Sequence, residues 1–226
     1  MVSVDAVYQK VLAIANKEQR GYITPQEFNL FADHAQKDIF RQYFYDIEQF
    51  ERIAGNDIVE LLDQKISIFQ TEPIQVGHGD ILPENTHQIN GVYLELPEEK
   101  RHPLQRINPD EVAEIKSAPL LRTSLAMCYY TYNNAVFFVE ASPSNGSYRI
   151  TLTRKPTAPN WTYVIVGESA MFNSNVPGFM DFEIHESEET LLVIKILQLA
   201  GINIKDPALV QLASQEEVKK IQQEKQ

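Results

Sequence analysis

The sequence predicts an α+β protein with an N-terminal helical hairpin plus a further helix, a small antiparallel β insertion and two C-terminal helices. Three observations carry this expectation. Apolar residues recur at helical spacing up to residue 71. Prolines at 73, 83, 97, 103, 109, 119, 143, 156, 159 and 177 then punctuate short runs rich in β-branched and aromatic residues, which is β punctuation. A leucine-rich helical run returns after residue 181. The 226 residues are enough to bury a real core, and the chain reads as a single domain over 1–226. Within it, 1–71 is helical, 72–180 is a β-rich insertion with a short helix, and 181–226 holds C-terminal helices and a polar tail.

The first helix, 4–15, rests on Val4, Val7, Val11 and Ile14, with Tyr8, Leu12 and Ala15 widening the stripe; Gly21 ends it. The second opens on Thr24 as N-cap, Pro25 at the first helical position and Glu27 three places after the cap, a capping box. Behind it Phe28, Phe31, Ala35, Ile39, Tyr43, Ile47 and Phe50 keep helical steps while Phe40 and Phe44 add a flanking row. That arc is too wide for one partner helix, which makes Phe31, Phe40, Tyr43 and Phe44 candidate subunit-interface residues. A third amphipathic segment runs over 57–69 through Ile58, Leu61, Leu62, Lys65 and Phe69.

Strands are expected over 88–96, 127–132, 135–140 and 148–154, with hairpin turns at Asn133-Asn134 and Ser144-Asn145-Gly146. Asn108 as cap and Pro109 at the first helical position place a short helix over 108–117. A helix over 181–200 is terminated by Gly201, and a last one starts at Asp206-Pro207 and trails into a solvated polar end. Trp161, beside Pro156 and Pro159, reads as a packing anchor or as the filling of an intersubunit pocket.

Lys and Arg number 20 against 31 Asp and Glu, a formal charge of −11, the wrong sign for gripping nucleic acid through its phosphates. One cysteine, Cys128, excludes an internal disulfide framework. No apolar run spans a membrane, and the residues from Met1 to Asp5 lack a signal peptide's basic start, so synthesis in a cytoplasm is expected.

The stretch "NKEQRGYITPQEF" from Asn16 spells most of an EF-hand loop, with glycine sixth, isoleucine eighth and glutamate twelfth. Its fifth place, where calcium needs an oxygen, holds Arg20. A guanidinium about 4 Å from a divalent ion at effective dielectric ~20 is repelled by roughly 8 kcal/mol, about what micromolar binding supplies. Asn16, Glu18, Thr24 and Glu27 remain as a weak ligand set for an alternative reading, a calcium-responsive helical binding module. The structural reading gives Gly21, Thr24, Pro25 and Glu27 to a helix-turn-helix and expects no metal and no cofactor.

Catalytic spellings are incomplete. "GESAM" at 167–171 lacks the second glycine of a nucleophile elbow. "HESEE" at 185–189 has one of the two histidines that a zinc helix needs, and "GHGD" at 77–80 reads as a loop turn. Cys128 in its aromatic strand reads as a small buried hydrophobe. No catalytic residue is assigned and no enzyme is expected; an enzyme would instead show perturbed carboxylates or histidines in one pocket.

The string "VYQKVLAIANKEQRGYITPQEFNLFADHAQKDIFRQYFYD" resembles the N-terminus of virion structural proteins of tailed bacteriophages. "NGSYRITLTRKPTAPNWTYVI" and "HESEETLLVIKILQLAGINIKDPALVQ" carry the same resemblance. The order of parts is also similar to head-to-tail connector proteins, the adaptor or tail-tubular proteins under the portal. The resemblance implies a non-catalytic neck ring of about twelve copies, located in the virion between portal and tail. Its implied partners are further copies of itself, the portal protein, a tail or second neck protein, and DNA passing without sequence-specific contact.

Overall fold

The computed structural model describes residues 1–17, 23–53, 56–97, 100–117, 127–139, 146–167 and 169–201. The α+β class holds, and the chain divides into two compact units, Met1–Ile68 with Pro156–Gln226, and Phe69–Lys155.

In the helical unit α1 (Val4–Lys17) and α2 (Pro25–Ile53) are followed by α3 (Asn56–Ser67), and α5 (Glu189–Leu199) closes the described C-terminal part. The predicted stripe of α1 is buried at Val4, Val7, Tyr8, Val11 and Ala15. α2 buries Phe28, Ala32, Ala35, Ile39, Phe40 and Tyr43 on one face. α5 packs on both α1 and α2 through Leu192, Val193, Ile196 and Leu197. It starts at Glu189, later than the expected 181, because residues 181–184 are spent in extended form. Phe182 bridges Val2, Asp181 Oδ1 accepts the Val4 N–H at 2.8 Å, and Phe182 and Ile184 are buried. A short 3₁₀ turn, Glu186–Glu188, leads into α5. Gly201, at φ 73°, ends it in the left-handed conformation that glycine adopts without a Cβ penalty. The helix expected from Asp206 onward, and the polar tail, lie outside the described residues.

The β region is larger than the small antiparallel insertion expected from the sequence. Ten strands form three sheets among the described residues. In the second unit β1 (Ile74–Val76), β8 (Ser147–Arg154), β3 (Thr86–Glu95) and β4 (Arg101–Pro103) form one sheet in that order. β2 (Asp80–Ile81), β7 (Ala135–Phe138), β6 (Cys128–Tyr132) and β5 (Gln105–Arg106) form another. The short strands β1, β2, β4 and β5 have two or three residues each, too few for an alternating pattern to show in sequence. One pair, β5 with β6, is parallel, and the connection that makes this possible contains α4 (Glu111–Ser117).

Alternation then builds the core. Val92 and Leu94 of β3, with Tyr148, Ile150 and Leu152 of β8, point one way; Tyr129, Val136 and Phe138 of the other sheet join them in one buried cluster. Phe138 and Tyr148 stack with ring centroids 3.7 Å apart. The β6–β7 turn is the predicted Asn133-Asn134, at φ 46° and 59°, the positive pair that a two-residue hairpin needs. Ser144 and Asn145 of the second predicted turn lie outside the described residues; β7 and β8, on either side of it, belong to different sheets.

The close approach at Gly146 gives a local prediction. A Cβ there would meet the Glu95 carbonyl oxygen at 2.6 Å and the Leu94 and Leu96 side chains at 3.1 Å. Gly146→Ala is expected to weaken this unit by about 1–3 kcal/mol through overpacking. Amide hydrogen exchange along the β3–β8 ladder reads it, and unchanged protection contradicts the clash.

The third sheet is a two-stranded hairpin of β9 (Tyr163–Val166) and β10 (Ser169–Phe172) and belongs to the helical unit.

Candidate functional site

The helix-turn-helix stretch shows what its letters do. Thr24 and Glu27 cap α2 reciprocally: Glu27 N–H donates to Thr24 Oγ1 at 3.3 Å, while Thr24 N–H and Oγ1–H donate to Glu27 Oε2 at 3.0 and 2.8 Å. Pro25 is the first residue of α2. The carboxylate that would occupy the twelfth place of a calcium loop is therefore engaged at the cap. Hydrogen bonds from the Thr24 backbone and then its hydroxyl hold the Glu27 carboxyl below its usual range. A depressed carboxylate stabilises the fold above its ordinary pKa, and this contribution is lost as pH falls through the lowered value. Asn16 is exposed at the end of α1, and Glu18 and Gly21 lie outside the described residues. Thr24→Ala is expected to cost about 1 kcal/mol, equally with and without calcium, in thermal unfolding.

Of the aromatic residues singled out in the sequence, Phe40, Tyr43 and Trp161 are buried within the helical unit, while Phe31 and Phe44 are half-buried. Trp161 lies where three segments meet. Its ring is 4.5 Å from that of Tyr8, which is 4.6 Å from Phe28, and its indole N–H donates to Asp5 Oδ1 at 2.9 Å. Its backbone is clamped by one side chain, Asn29, which accepts from the Trp161 N–H at 2.9 Å and donates to the Trp161 carbonyl at 3.2 Å. Buried Gln36 does the same for two other strands of chain, donating to the Thr157 carbonyl at 2.7 Å and accepting from the Glu183 N–H at 3.0 Å.

The same unit holds a charged group that motif reading passed over. Lys65 of α3 and Glu188, immediately before α5, form an ion pair with both side chains only 7% exposed. The Lys65 ammonium also lies 5.6 Å from the centre of the Tyr43 ring. Burial, and then the Glu188 charge, pushes the Tyr43 phenol well above its ordinary value and keeps it protonated. The signal was visible as a lysine on the apolar side of the α3 pattern.

The second unit presents a groove of about 700 Å³ beside the Asn133-Asn134 turn, where two register shifts in β3, at Thr86/Gln88 and Ile89/Gly91, re-aim side chains. His87, Gln88, Arg106, Tyr132 and Asn133 line it. Arg106 donates to Thr131 Oγ1 at 3.2 Å, and Asn134 donates to the Leu82 carbonyl at 3.1 Å. Burial first, then the Lys155 charge, lowers the His87 pKa and favours neutral imidazole. The groove offers hydrogen-bond donors and acceptors, and no carboxylate is among its described lining residues. Bulges are not legible in a single sequence, so the groove was not anticipated.

The other motif residues have structural positions. His78 Nδ1 accepts from the Phe138 N–H at 3.2 Å, and Gly77 N–H donates to Asp80 Oδ2 at 2.6 Å, so "GHGD" is the turn between β1 and β2. Cys128 is buried in β6, which raises its thiol pKa. Gly167, at φ 66°, turns β9 into β10. His185 caps the 3₁₀ turn, accepting from the Ser187 N–H at 3.3 Å. Among the described residues no group of three or more His, Cys, Asp or Glu is arranged to hold a metal ion, and no helix is long and apolar enough to cross a membrane.

Compared with known proteins, no family model matches the chain and no curated protein matches it.

Proposed function

We propose that the chain is a structural, non-catalytic protein of a tailed-phage virion, forming a neck ring between portal and tail through which DNA passes. The observation that carries this reading is the resemblance of residues 7–46, 145–165 and 185–211 to such virion proteins. In the structure these strings pack on one another through the helical unit. The first forms most of α1 and α2, the second brings Trp161 against Tyr8 of the first, and the third supplies α5, which packs on both helices. An excess of acidic residues at a DNA channel repels the duplex and keeps it from adhering to the wall.

Immunogold labelling of virions with an antibody against this chain tests the reading. Label at the junction of head and tail is expected; label on the capsid shell or tail fibres, with none at the neck, overturns it.

A further inference from the structure

The groove beside the Asn133-Asn134 turn is lined by polar side chains with unused hydrogen-bonding groups. Among the described residues, the side chains of Gln88, Tyr132 and Asn133 form no hydrogen bond, and all three are exposed at its wall. Arg106 donates to Thr131 Oγ1 at 3.2 Å and enters no ion pair among those residues, which leaves most of its guanidinium donors unused. The walls that carry these groups are fixed. Asn133 and Asn134 hold the positive φ angles of a two-residue turn, and Asn134 is tied to the Leu82 carbonyl at 3.1 Å. The register shifts at Thr86/Gln88 and Ile89/Gly91 shape the opposing wall on β3. The volume of about 700 Å³ lies within the ~300–1,000 Å³ of small-ligand clefts.

The chemistry of the lining selects its occupant. An anion accepts hydrogen bonds and donates none, so it matches donors alone. Here the side-chain amides of Gln88, Asn133 and Asn134 set a carbonyl oxygen beside each NH₂ group, and a neutral His87 ring carries one nitrogen of each kind. A hydroxyl likewise both donates and accepts, so a ligand with several hydroxyls satisfies this mixture where an anion would meet acceptor against acceptor. A neutral ligand also enters unopposed by the formal charge of −11, and no carboxylate among the described lining residues competes for Arg106. Tyr132, 60% exposed and in no ring pair among the described residues, adds an aromatic face beside these polar groups. Sugar rings present the complementary pair of surfaces: hydroxyls around the rim and a patch of C–H bonds on one face. We propose that this groove binds a neutral saccharide, whose C–H face rests on the Tyr132 ring and whose hydroxyls hydrogen-bond with Arg106, Gln88 and Asn133. The site lies wholly within Phe69–Lys155 and does not depend on the virion reading.

Saturation-transfer NMR of the full chain with neutral disaccharides (maltose, cellobiose, lactose and diacetylchitobiose) tests it. At least one is expected to bind, with an affinity unchanged between about 0.05 and 0.5 M sodium chloride, since the ligand carries no charge to be screened. Tyr132→Ala and Arg106→Gln are each expected to weaken that binding by about tenfold, the scale of one lost contact to a ring face or a charged donor. Both side chains are exposed, so amide protection along the β3–β8 ladder should stay at wild-type values. Asn133→Gly removes an amide while accepting the positive φ of the turn, and it should weaken binding without disturbing the fold. A panel in which no disaccharide binds overturns the proposal, as does binding that survives all three substitutions undiminished. A groove that takes inorganic phosphate in place of the sugars, more weakly as salt rises, is an anion site and overturns it too.

Discussion

Glu188→Gln is expected to destabilise the helical unit by about 3–5 kcal/mol, the cost of leaving one member of a buried ion pair without its counter-charge. The substitution keeps the side chain's shape and removes only its charge, so packing is not the variable. Lys65 has little alternative. Its side chain is as buried as that of Glu188, and among the described residues its remaining favourable neighbour is the face of the Tyr43 ring, 5.6 Å away. A buried ammonium left facing a ring quadrupole has lost several kcal/mol of hydration for a contact worth about 2 kcal/mol. Urea unfolding followed by Trp161 emission measures the effect cleanly, because Trp161 is the sole tryptophan and lies in this unit. Replacing both partners, Lys65→Met with Glu188→Leu, is expected to return stability close to wild type, since no uncompensated charge remains. A single Gln variant as stable as wild type would show that water reaches the pair. The Tyr43 phenol supplies an independent reading: with the Glu188 charge gone, one of the two causes raising its pKa disappears, and its alkaline titration should move down.

The elements that the sequence predicted well are those whose signal is local. The capping box at Thr24 to Glu27 is complete within four residues, and the atoms sit as the letters imply. The Asn133-Asn134 turn is legible because few residues other than glycine accept two successive positive φ angles. β3, β6, β7 and β8 were legible from β-branched and aromatic runs bounded by turn residues. What sequence missed depends on partners far along the chain. Residues 181–184 look helical by composition, yet Asp181 is drawn to the start of α1, Phe182 to Val2 and Glu183 to Gln36, contacts spanning more than a hundred residues. Two- and three-residue strands exist only because a longer neighbour offers its edge, as β8 does to β1. The wide aromatic arc on α2 was read as needing a neighbouring subunit; Phe40 and Tyr43 are covered within the unit, while the exposed apolar run at β9 was not singled out in the sequence.

Trp161→Ala is expected to lower the stability of the helical unit by about 3–5 kcal/mol, the range for truncating a large buried aromatic side chain. Three losses coincide at this position. The ring is the common neighbour of Tyr8 on α1 and of the hairpin base at Tyr163 and Phe172, so its removal opens a cavity between elements that cannot all collapse inward together. The indole N–H no longer reaches Asp5, leaving a half-buried carboxylate short of a donor. The Asn29 clamp on the backbone of residue 161 survives, so the chain path should persist while the packing around it loosens. Trp161→Phe should recover part of the loss, restoring ring contact with Tyr8 but not the Asp5 hydrogen bond. Far-UV circular dichroism during urea unfolding measures both variants, since the fluorescent reporter is itself removed. Protein concentration separates the two roles the sequence left open. An indole that anchors its own unit gives the same loss in dilute and concentrated samples, because no association enters the equilibrium. One that fills an intersubunit pocket gives a loss that vanishes on dilution, because wild type would then forfeit the same contact. Burial of Trp161 against Tyr8, Tyr163 and Asn29 of its own chain makes the concentration-independent outcome the expected one.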